Sequence, residues 1–379
     1  MKLASVKLEE RWDKDLLKLI SRGNASGGFM ADITFIVDTG CQFSGISGLI
    51  DSFTIANRWH ATNTGDWSEP LFTTRILSQD GQAVKVSGGF QVLPEGAFRD
   101  SQQTDVVIVP PYLPSADLLP ANATSLLDWI VARYDQGVTI ASVCTGSFVL
   151  AETGLLDGRL ATTHWFYSKL FKRRYPKVLL EPDRVLTRDK GLICSGSVSA
   201  FYYLGLHLIE SFGSSHLAAQ CSKSLLVDPG KASQSPYAVF NVHKGHGDQE
   251  ILRAQELIEA HFADAISMKD LAREVGISPR HFIRRFKKAT DETPLSYLQQ
   301  VRIERAKDCL ETSLETVNEI TQGIGYENSS SFRKLFKEAT GLSPSEYRSR
   351  FTRGDGAASS GTRDPSACAV LKTWRSRKA

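Results

Sequence analysis

One cysteine stands where a predicted strand turns directly into a predicted helix. The apolar run 138–143 predicts a buried strand and 146–151 predicts a helix, so Cys144 lies at the turn between them. A thiol at a helix N-terminus can act as a nucleophile, and the unpaired amides there can hold an anion or a carbonyl oxygen. Cys144, Thr145 and Gly146 are therefore candidates for contact with a small ligand.

Catalysis at this cysteine would need a base within hydrogen-bond reach of the thiol. Thr145 follows Cys144 directly, and His164 is the nearby candidate base. A lone histidine is more often a hydrogen-bonded structural residue than a base. Three interpretations of Cys144 stay open: a residue that lines a ligand pocket, a catalytic nucleophile, and an inert or redox-responsive thiol. We favour the first.

A second set of residues repeats at an offset of 50. Segment 281–290 aligns with segment 331–340, so that Phe282 falls on Phe332 and Phe286 on Phe336. The alignment continues downstream through two further pairs: Pro294 with Pro344, and Tyr297 with Tyr347. Two copies of one supersecondary unit suggest one task done twice.

The first copy has the pattern of a helix-turn-helix. A short helix ends before Gly276, which suits the left-handed conformation of a turn, and Ser278 and Pro279 are favourable residues at the start of the next helix. That second helix is predicted to turn three apolar side chains inward: Phe282, Ile283 and Phe286.

The second copy follows the same plan with Gly325 at the turn and Asn328 as the cap of the next helix. Its inward residues are predicted to be Phe332, Leu335 and Phe336. The spacing from turn glycine to first phenylalanine is one residue longer than in the first copy, so the second helix is expected to be aimed differently.

Basic and polar side chains are left on the outer faces of these two helices. A charge run is usually a solvated helix face, but here it recurs on the second helix of a helix-turn-helix. Segment 248–352 holds 16 Lys and Arg against 17 Asp and Glu, whereas 280–288 holds five basic residues and no acidic one, so the positive charge is local. The candidate DNA contacts are Arg280, His281, Arg284, Arg285, Lys287 and Lys288 in the first copy, and Asn328, Ser329, Ser330, Arg333, Lys334 and Lys337 in the second.

Residues 248–352 resemble the DNA-binding domain of the AraC/XylS family of bacterial transcription regulators. The resemblance is strongest over 325–337 and 341–348, and it covers both motifs and the helix between them, in which Ile303, Ala306 and Leu310 share a face. It implies a sequence-specific unit whose two recognition helices enter successive major-groove segments on one side of the duplex.

Segment 30–226 resembles the class I glutamine amidotransferase-like superfamily, in its PfpI-type branch, as found in GlxA-type AraC regulators. The resemblance depends on segments 142–151, 154–165 and 196–200. It implies a pocket formed by the cysteine turn and an acidic residue near the first helix, a position that Asp51 fills. PfpI-type peptidases carry histidine directly after the cysteine, where this chain has Thr145, so peptidase activity is not expected. Relatives of this type often govern the catabolism of nitrogen-containing small molecules.

The pattern of strands and helices before residue 228 predicts an α/β domain with an open, mostly parallel sheet, flavodoxin-like in class. An all-α domain with two helix-turn-helix motifs follows. The predicted organisation is a ligand-sensing domain at 30–227, a linker at 228–247, a DNA-binding domain at 248–352 and a disordered basic tail at 353–379.

Composition excludes several other classes. Hydrophobic content of 41% over 379 residues favours two globular domains, and a net charge of +3 is too small to indicate a partner. The six cysteines form no CxxC pair, so we expect free thiols in a reducing cytoplasm, no bound metal and no cofactor. Residues 1–20 are too charged for a signal peptide or a membrane span.

We therefore expect a cytoplasmic transcription regulator that is controlled by a small metabolite bound in its N-terminal domain. Its expected partners are promoter DNA, that effector, RNA polymerase if it activates, and a second copy of itself through the N-terminal domain. The alternative is a cysteine-dependent amidase or hydratase with an appended DNA-binding domain.

Overall fold

The computed structural model describes residues 30–100, 103–112, 119–120, 123–240, 242 and 244–352. The chain divides into two compact units, Met1–Gln234 and Ser235–Ala379. The predicted basic tail at 353–379 lies outside the described residues.

The first unit is built on a mostly parallel sheet, as predicted. The main sheet has seven strands in the order β10-β11-β7-β6-β1-β2-β5 among the described residues, and only the β10–β11 pair is antiparallel. Two further pairs, β3-β4 and β8-β9, lie apart from it. The strands are β1 (Ala31–Ile36), β2 (Phe72–Ser78), β3 (Val84–Lys85), β4 (Gln91–Val92), β5 (Gly96–Ala97), β6 (Val106–Val109), β7 (Thr139–Val143), β8 (Leu160–Ala161), β9 (Leu179–Leu180), β10 (Leu186–Asp189) and β11 (Leu192–Ser195).

Helices cover this sheet. They are α1 (Ser44–Thr64), α2 (Ala123–Asp135), α3 (Gly146–Glu152), α4 (Ser168–Arg174), α5 (Phe201–Phe212) and α6 (Ser215–Ser224). The β1–α1–β2 and β6–α2–β7 crossovers run in opposite directions along the sheet, so right-handed connections place α1 and α2 on opposite faces. Strand β6, whose residues are at most 1% exposed, is the fully buried apolar strand that its sequence predicts.

The predicted linker 228–247 is divided between the two units. Before the boundary, the Val185 amide donates to the carbonyl oxygen of Ala232 at 3.1 Å, and the Gln234 amide donates to that of Asp183 at 2.8 Å. After the boundary, a short 3₁₀ helix covers Ser235–Tyr237. The chain therefore passes from one unit to the other between Gln234 and Ser235, inside the predicted linker.

The second unit is all-α. Its described helices are α7 (Gln249–Ala260), α8 (Met268–Glu274), α9 (Pro279–Thr290), α10 (Pro294–Thr312), α11 (Val317–Gly323), α12 (Ser329–Thr340) and α13 (Pro344–Phe351). Pairs α8–α9 and α11–α12 are the two predicted helix-turn-helix motifs, and α10 joins them. The shared face of α10 is buried as predicted: Ile303, Ala306 and Leu310 are at most 4% exposed.

The two copies have equivalent cores. Phe282, Phe286, Phe332 and Phe336 are all 0% exposed, which confirms the prediction that they are buried equivalents. The ring of Phe286 lies 5.4 Å from that of Tyr297, and the corresponding rings of the second copy, Phe336 and Tyr347, are also 5.4 Å apart. Each tyrosine hydroxyl donates to a glutamate, Glu259 at 2.6 Å and Glu311 at 2.7 Å.

The turns also follow the sequence. Gly276 has φ +72° and Gly325 has φ +84°, the left-handed conformation expected of both. Asn328 caps α12 as predicted, since its Oδ1 accepts from the amides of Ser330 at 2.8 Å and Ser331 at 3.2 Å. Ser278 precedes α9 but makes no side-chain capping bond.

The prediction for one core residue is wrong. Ile283, expected to point inward, is 48% exposed on α9. The two phenylalanines one helical turn apart fill the narrow inward stripe of this helix, and the residue after the first of them is rotated about 100° away from that stripe. Leu335, expected inward in the other copy, is half-buried.

Candidate functional site

The backbone at Cys144 has the geometry of a nucleophile elbow. Cys144 has φ +55°, a left-handed conformation that is rare for a residue with a side chain. The nearby Gly146 packs directly on the backbone at the end of β6, because an added Cβ would lie 2.7 Å from the carbonyl oxygen of Val109 and 2.6 Å from that of Pro110. The turn is therefore held by close backbone contact with the end of β6.

Hydrogen bonds fix Thr145 in the same place. Its Oγ1 donates to the carbonyl oxygen of Tyr112 at 2.6 Å and accepts from the amide of Tyr112 at 2.8 Å. Thr145 is 2% exposed, so its hydroxyl is used inside the protein and is not available as a base for the thiol. Its role in the described structure is to position the elbow.

Burial keeps the Cys144 thiol protonated. The side chain is 3% exposed, and this burial raises the pKa of the thiol to about 12, although the Thr145 amide and hydroxyl act in the opposite direction. The thiolate is the reactive form of cysteine, so a protonated thiol is a poor nucleophile at neutral pH. The geometry of the elbow is present, but the ionisation that catalysis needs is not.

His164 lies beside the elbow without the contacts of a general base. Its Nδ1 accepts from the amide of Phe166 at 3.1 Å, and its ring is 5.9 Å from that of Tyr167. Burial lowers the pKa of His164, so the ring is neutral at neutral pH. Tyr167 was not predicted as a site residue: its ring contacts that of His164, and burial is the main cause of the raised pKa of its phenol, with the interaction with Cys144 second. The spacing of three residues after His164 was the available signal.

Neutral hydroxyl groups complete the surroundings of the elbow. Ser147 Oγ donates to the carbonyl oxygen of Cys144 at 2.9 Å and is 2.8 Å from Thr163 Oγ1. Both hydroxyls belong to residues that are 0% exposed. These hydrogen bonds join α3 to the stretch before His164.

Asp51, the predicted acidic residue of the pocket, lies on α1. Asp51 is exposed on α1, whereas the residue that α1 places near the end of β7 is Gly45, where an added Cβ would lie 3.7 Å from Val143 Cγ1. A different carboxylate, Asp38, follows β1 at the same edge of the sheet. Burial raises the pKa of Asp38, and the charge of Asp38 is a secondary cause of the raised pKa of Tyr112.

The predicted DNA contacts occupy the surface of the second unit. Arg280, His281 and Arg284 on the first recognition helix are exposed, as are Lys287 and Lys288. On the second recognition helix the exposed residues are Asn328, Ser330, Arg333, Lys334 and Lys337, while Ser329 is half-buried. Ile283 lies at the position that Arg333 takes in the other copy, so an apolar side chain joins this surface.

Arg285 differs from the other predicted contacts. Its guanidinium lies 2.7 Å from Asp248 Oδ1 and 2.7 Å from Glu250 Oε2, both at the start of α7. Hydrogen bonds from Arg285 hold the pKa of Asp248 below its usual range. Arg285 therefore joins α9 to α7 and is engaged within the unit.

Comparison with known proteins agrees with this two-part arrangement. Residues 68–211 match the DJ-1/PfpI family, and residues 271–350 match a helix-turn-helix domain family. The HTH-type transcriptional regulator CdhR of Pseudomonas aeruginosa is 27% identical over 318 residues, which cover 84% of this chain and 91% of CdhR. The HTH-type transcriptional regulator GlxA of Rhizobium meliloti is 24% identical over 289 residues, 74% of this chain and 86% of GlxA. The chain is a DNA-binding transcriptional regulator that carries a DJ-1/PfpI-type domain followed by an AraC-type helix-turn-helix domain.

The regulator resembles an enzyme over a shorter stretch. Isonitrile hydratase of Pseudomonas putida is 36% identical over 145 residues, which cover 38% of this chain and 60% of the hydratase. The match to the transcriptional regulator CdhR, in contrast, extends over 84% of the chain. Within the described residues, none of the helices has the length and apolar character needed to cross a membrane.

Proposed function

We propose that a small metabolite bound at the elbow of the first unit controls how this regulator occupies promoter DNA. The carrying observation is the combination of elbow geometry with a protonated thiol: Cys144 keeps φ +55°, yet its pKa is about 12. A group held in a strained, buried and neutral form suits the binding of a ligand better than the attack on one.

The chemistry of the elbow favours an uncharged or acidic group on the effector. The protonated Cys144 thiol and the Tyr167 hydroxyl can both donate to a carbonyl or carboxylate oxygen of the ligand. His164 is neutral, and because its Nδ1 accepts from the Phe166 amide, its Nε2–H supplies one further donor. We propose a small carbonyl-bearing or carboxylate-bearing metabolite, and the resemblance to GlxA-type regulators favours one that contains nitrogen.

A chain of buried hydrogen bonds joins the elbow to the end of the first unit. Ser147 links the Cys144 carbonyl to Thr163, and the carbonyl oxygen of Thr163 accepts from Gln234 Nε2 at 2.8 Å. Gln234 is 3% exposed and is the last residue of the first unit. Its Nε2 also donates to the carbonyl oxygen of Pro182 at 2.6 Å. A ligand that shifts the Cys144 turn would therefore shift the residue at the unit boundary.

The recognition helices supply the proposed contacts with DNA. Arg280, His281 and Arg284 are placed to read bases in the first copy, and Ser329, Ser330 and Arg333 in the second. Exposed Ile283 suits an apolar contact with a thymine methyl group. Lys287, Lys288, Lys334 and Lys337 are the proposed phosphate contacts, whose loss should weaken binding to all sequences alike.

We propose further that the regulator acts as a homodimer in the cytoplasm, where promoter DNA lies, with the first units in contact. A ligand that changes how two first units pair would change the spacing of two DNA-binding units, and RNA polymerase would be the partner of an activator. A ligand-induced change in DNA affinity of this kind is typically worth about 1–3 kcal/mol, and it must be reciprocal.

Calorimetry with the full chain tests the proposal. Candidate metabolites are titrated with and without the DNA that flanks the gene, for wild type, Cys144→Ser and the control Cys221→Ser, a buried thiol of α6 remote in sequence from the elbow. We expect wild type and Cys221→Ser to bind ligand more tightly on DNA, or more weakly, by one common factor. Cys144→Ser should keep its basal DNA affinity and lose the response.

Two results would contradict this scheme. An unchanged ligand response in Cys144→Ser would remove the elbow from effector binding. Steady product formation in place of stoichiometric binding would support the alternative, an amidase or hydratase of the amidotransferase-like class.

A further inference from the structure

A cavity of about 370 Å³ lies in the first unit, at the segment that leads to the unit boundary. It is bounded by α5, by α6, by the start of β10 and by the segment 229–232. None of the elbow residues lines it. Its volume is within the range of sites that hold small organic molecules, roughly 300–1,000 Å³.

The wall of the cavity is mainly apolar. Val185, Leu186 and Leu206 lie on one side, and Ala218 and Ala219 of α6 line the cavity as well. Apolar walls with a few polar groups are typical of sites for small ligands. This composition favours a ligand with a short apolar body.

His207 supplies a polar group inside these walls. It is half-buried on α5, and among the described residues the structure gives its ring no hydrogen-bond partner. Burial, with the nearby charge of Arg188 second, lowers the pKa of His207 to about 4, so the ring is neutral. A neutral imidazole without a protein partner can donate to one ligand oxygen.

Charge at the cavity favours a single negative charge on that ligand. Of the described lining side chains, Arg184 and Lys231 are basic and Glu210 is acidic. Arg184 also pairs with Glu181 at 2.7 Å, and the Lys231 ammonium lies 5.9 Å from the centre of the Tyr203 ring. Two basic groups attract one carboxylate, while Glu210 opposes a second.

We propose that this cavity is a second ligand site, distinct from the elbow, for a small monocarboxylate with an apolar body. The carboxylate lies towards Arg184 and Lys231 and accepts from His207, and the apolar body lies against Leu206 and Ala219.

The cavity is lined by residues that are close in sequence to the unit boundary. Lys231 and Ala232 line the cavity, and they precede Gln234 by three and two residues. The Val185 amide donates to the Ala232 carbonyl, so the segment is already held beside β10. A ligand that contacts this segment should make 228–234 exchange its amide hydrogens more slowly.

Ligand-observed NMR and calorimetry on the full chain test the site. The probes are isobutyrate, hexanoate, benzoate and phenylacetate, each paired with its neutral amide. We expect saturable one-to-one binding of at least one acid, at least tenfold weaker binding of its amide, and slower hydrogen exchange in peptides covering 228–234.

Three variants locate the binding. Ala219→Phe, at an exposed position of α6 that lines the cavity, should fill the cavity and weaken the acid at least tenfold, with thermal unfolding as the check that the variant folds. His207→Leu should weaken it several-fold, whereas Cys144→Ser should bind it as wild type does. The proposal is overturned if none of the four acids binds, if the amides bind equally well, or if a folded Ala219→Phe leaves affinity unchanged. Loss of binding in Cys144→Ser would assign the acid to the elbow and overturn it too.

Discussion

At the residue scale, the folded protein gives Cys144 and Arg285 states that their sequence signals do not show. Cys144 occupies a turn that could activate a thiol, but burial keeps that thiol protonated. Arg284 and Arg285 are neighbours on one basic helix, yet only Arg285 is bound by carboxylates of the α7 N-terminus among the described residues. Each difference leads to a measurement.

Alkylation should show the protonated state of Cys144 directly. We expect iodoacetamide to modify Cys144 of the native protein slowly, at a rate that still rises between pH 7 and 11, because its pKa is about 12. In urea the rate should level off above about pH 9, near the ordinary thiol pKa of about 8.5. Peptide mapping by mass spectrometry separates Cys144 from the other cysteines. A native rate already level at about pH 7 would restore the nucleophile interpretation.

The adjacent arginines form a matched pair. Arg284→Gln should reduce affinity for promoter DNA by about 1–3 kcal/mol, the usual worth of a base-reading arginine, and leave stability unchanged. Arg285→Gln should instead reduce the stability of the second unit. Gel-shift titration and hydrogen exchange of α7 and α9 measure the two effects. The opposite assignment of effects would show that Arg285 is the base-reading residue.

Acid should remove the difference in stability between wild type and Arg285→Gln. Arg285 lowers the folded-state pKa of Asp248, so the pair stabilises the fold at pH values above the unfolded pKa of about 3.9. As pH falls through the folded pKa, Asp248 is protonated and this contribution is lost. Hydrogen exchange of α7 in both proteins from about pH 7 to about pH 3 measures it. A difference that persists undiminished at the acid end would point to a contact other than Asp248.

At the element scale, the two turn glycines have the same conformation and different surroundings. Gly276 has open space around an added Cβ, whereas at Gly325 that atom would lie 2.5 Å from the carbonyl oxygen of Ala263 and 2.8 Å from Arg302 Nη2. The helix-turn-helix copies are alike in their local geometry, and the difference comes from the chain packed against them.

Alanine substitution of the two turn glycines should therefore lower the stability of the second unit by unequal amounts. Gly276→Ala should cost the second unit about 1–2 kcal/mol for a left-handed alanine. Gly325→Ala should cost clearly more, because the Ala263 backbone must also move. Hydrogen exchange in peptides covering α8–α9 and α11–α12 reports each copy separately. Equal losses would mean that the Ala263 contact is absent in solution.

At the scale of the whole molecule, the proposed regulation depends on a route from the elbow to the boundary. Gln234 provides the last step of that route, since its amide nitrogen contacts Thr163 and Pro182 and its place is kept open by Gly196, where an added Cβ would lie 2.6 Å from Gln234 Nε2. Its Oε1 has no partner among the described residues.

Gln234→Ala should uncouple the two units. Loss of the side chain leaves the buried carbonyls of Thr163 and Pro182 unpaired, which costs about 1–3 kcal/mol for each unsatisfied group. We expect Gln234→Ala to keep effector binding and basal DNA binding. The effect of the effector on DNA affinity, and of DNA on effector affinity, should fall towards zero. Calorimetry of effector binding with and without DNA, and of DNA binding with and without effector, measures this coupling. Gln220→Ala, at a half-buried position of α6, is the control. An unchanged coupling in Gln234→Ala would exclude the route.

Much of this protein is readable in the sequence because the relevant signals are local. Apolar runs, turn glycines, the proline starts of helices and the 50-residue repeat predict the parallel sheet, the elbow and both helix-turn-helix motifs. Each depends on the conformational preferences of neighbouring residues, which the chain carries wherever it folds. The buried phenylalanines and the capping role of Asn328 were predictable for the same reason.

Other properties depend on residues that are distant in sequence. The protonated thiol of Cys144, the outward position of Ile283 and the exposure of Asp51 follow from how tightly other elements pack around them. The partners of Arg285 lie 35 and 37 residues away, and those of Gln234 lie 50 to 72 away. Burial and pairing arise only when separate segments meet, so local pattern carries no signal for them.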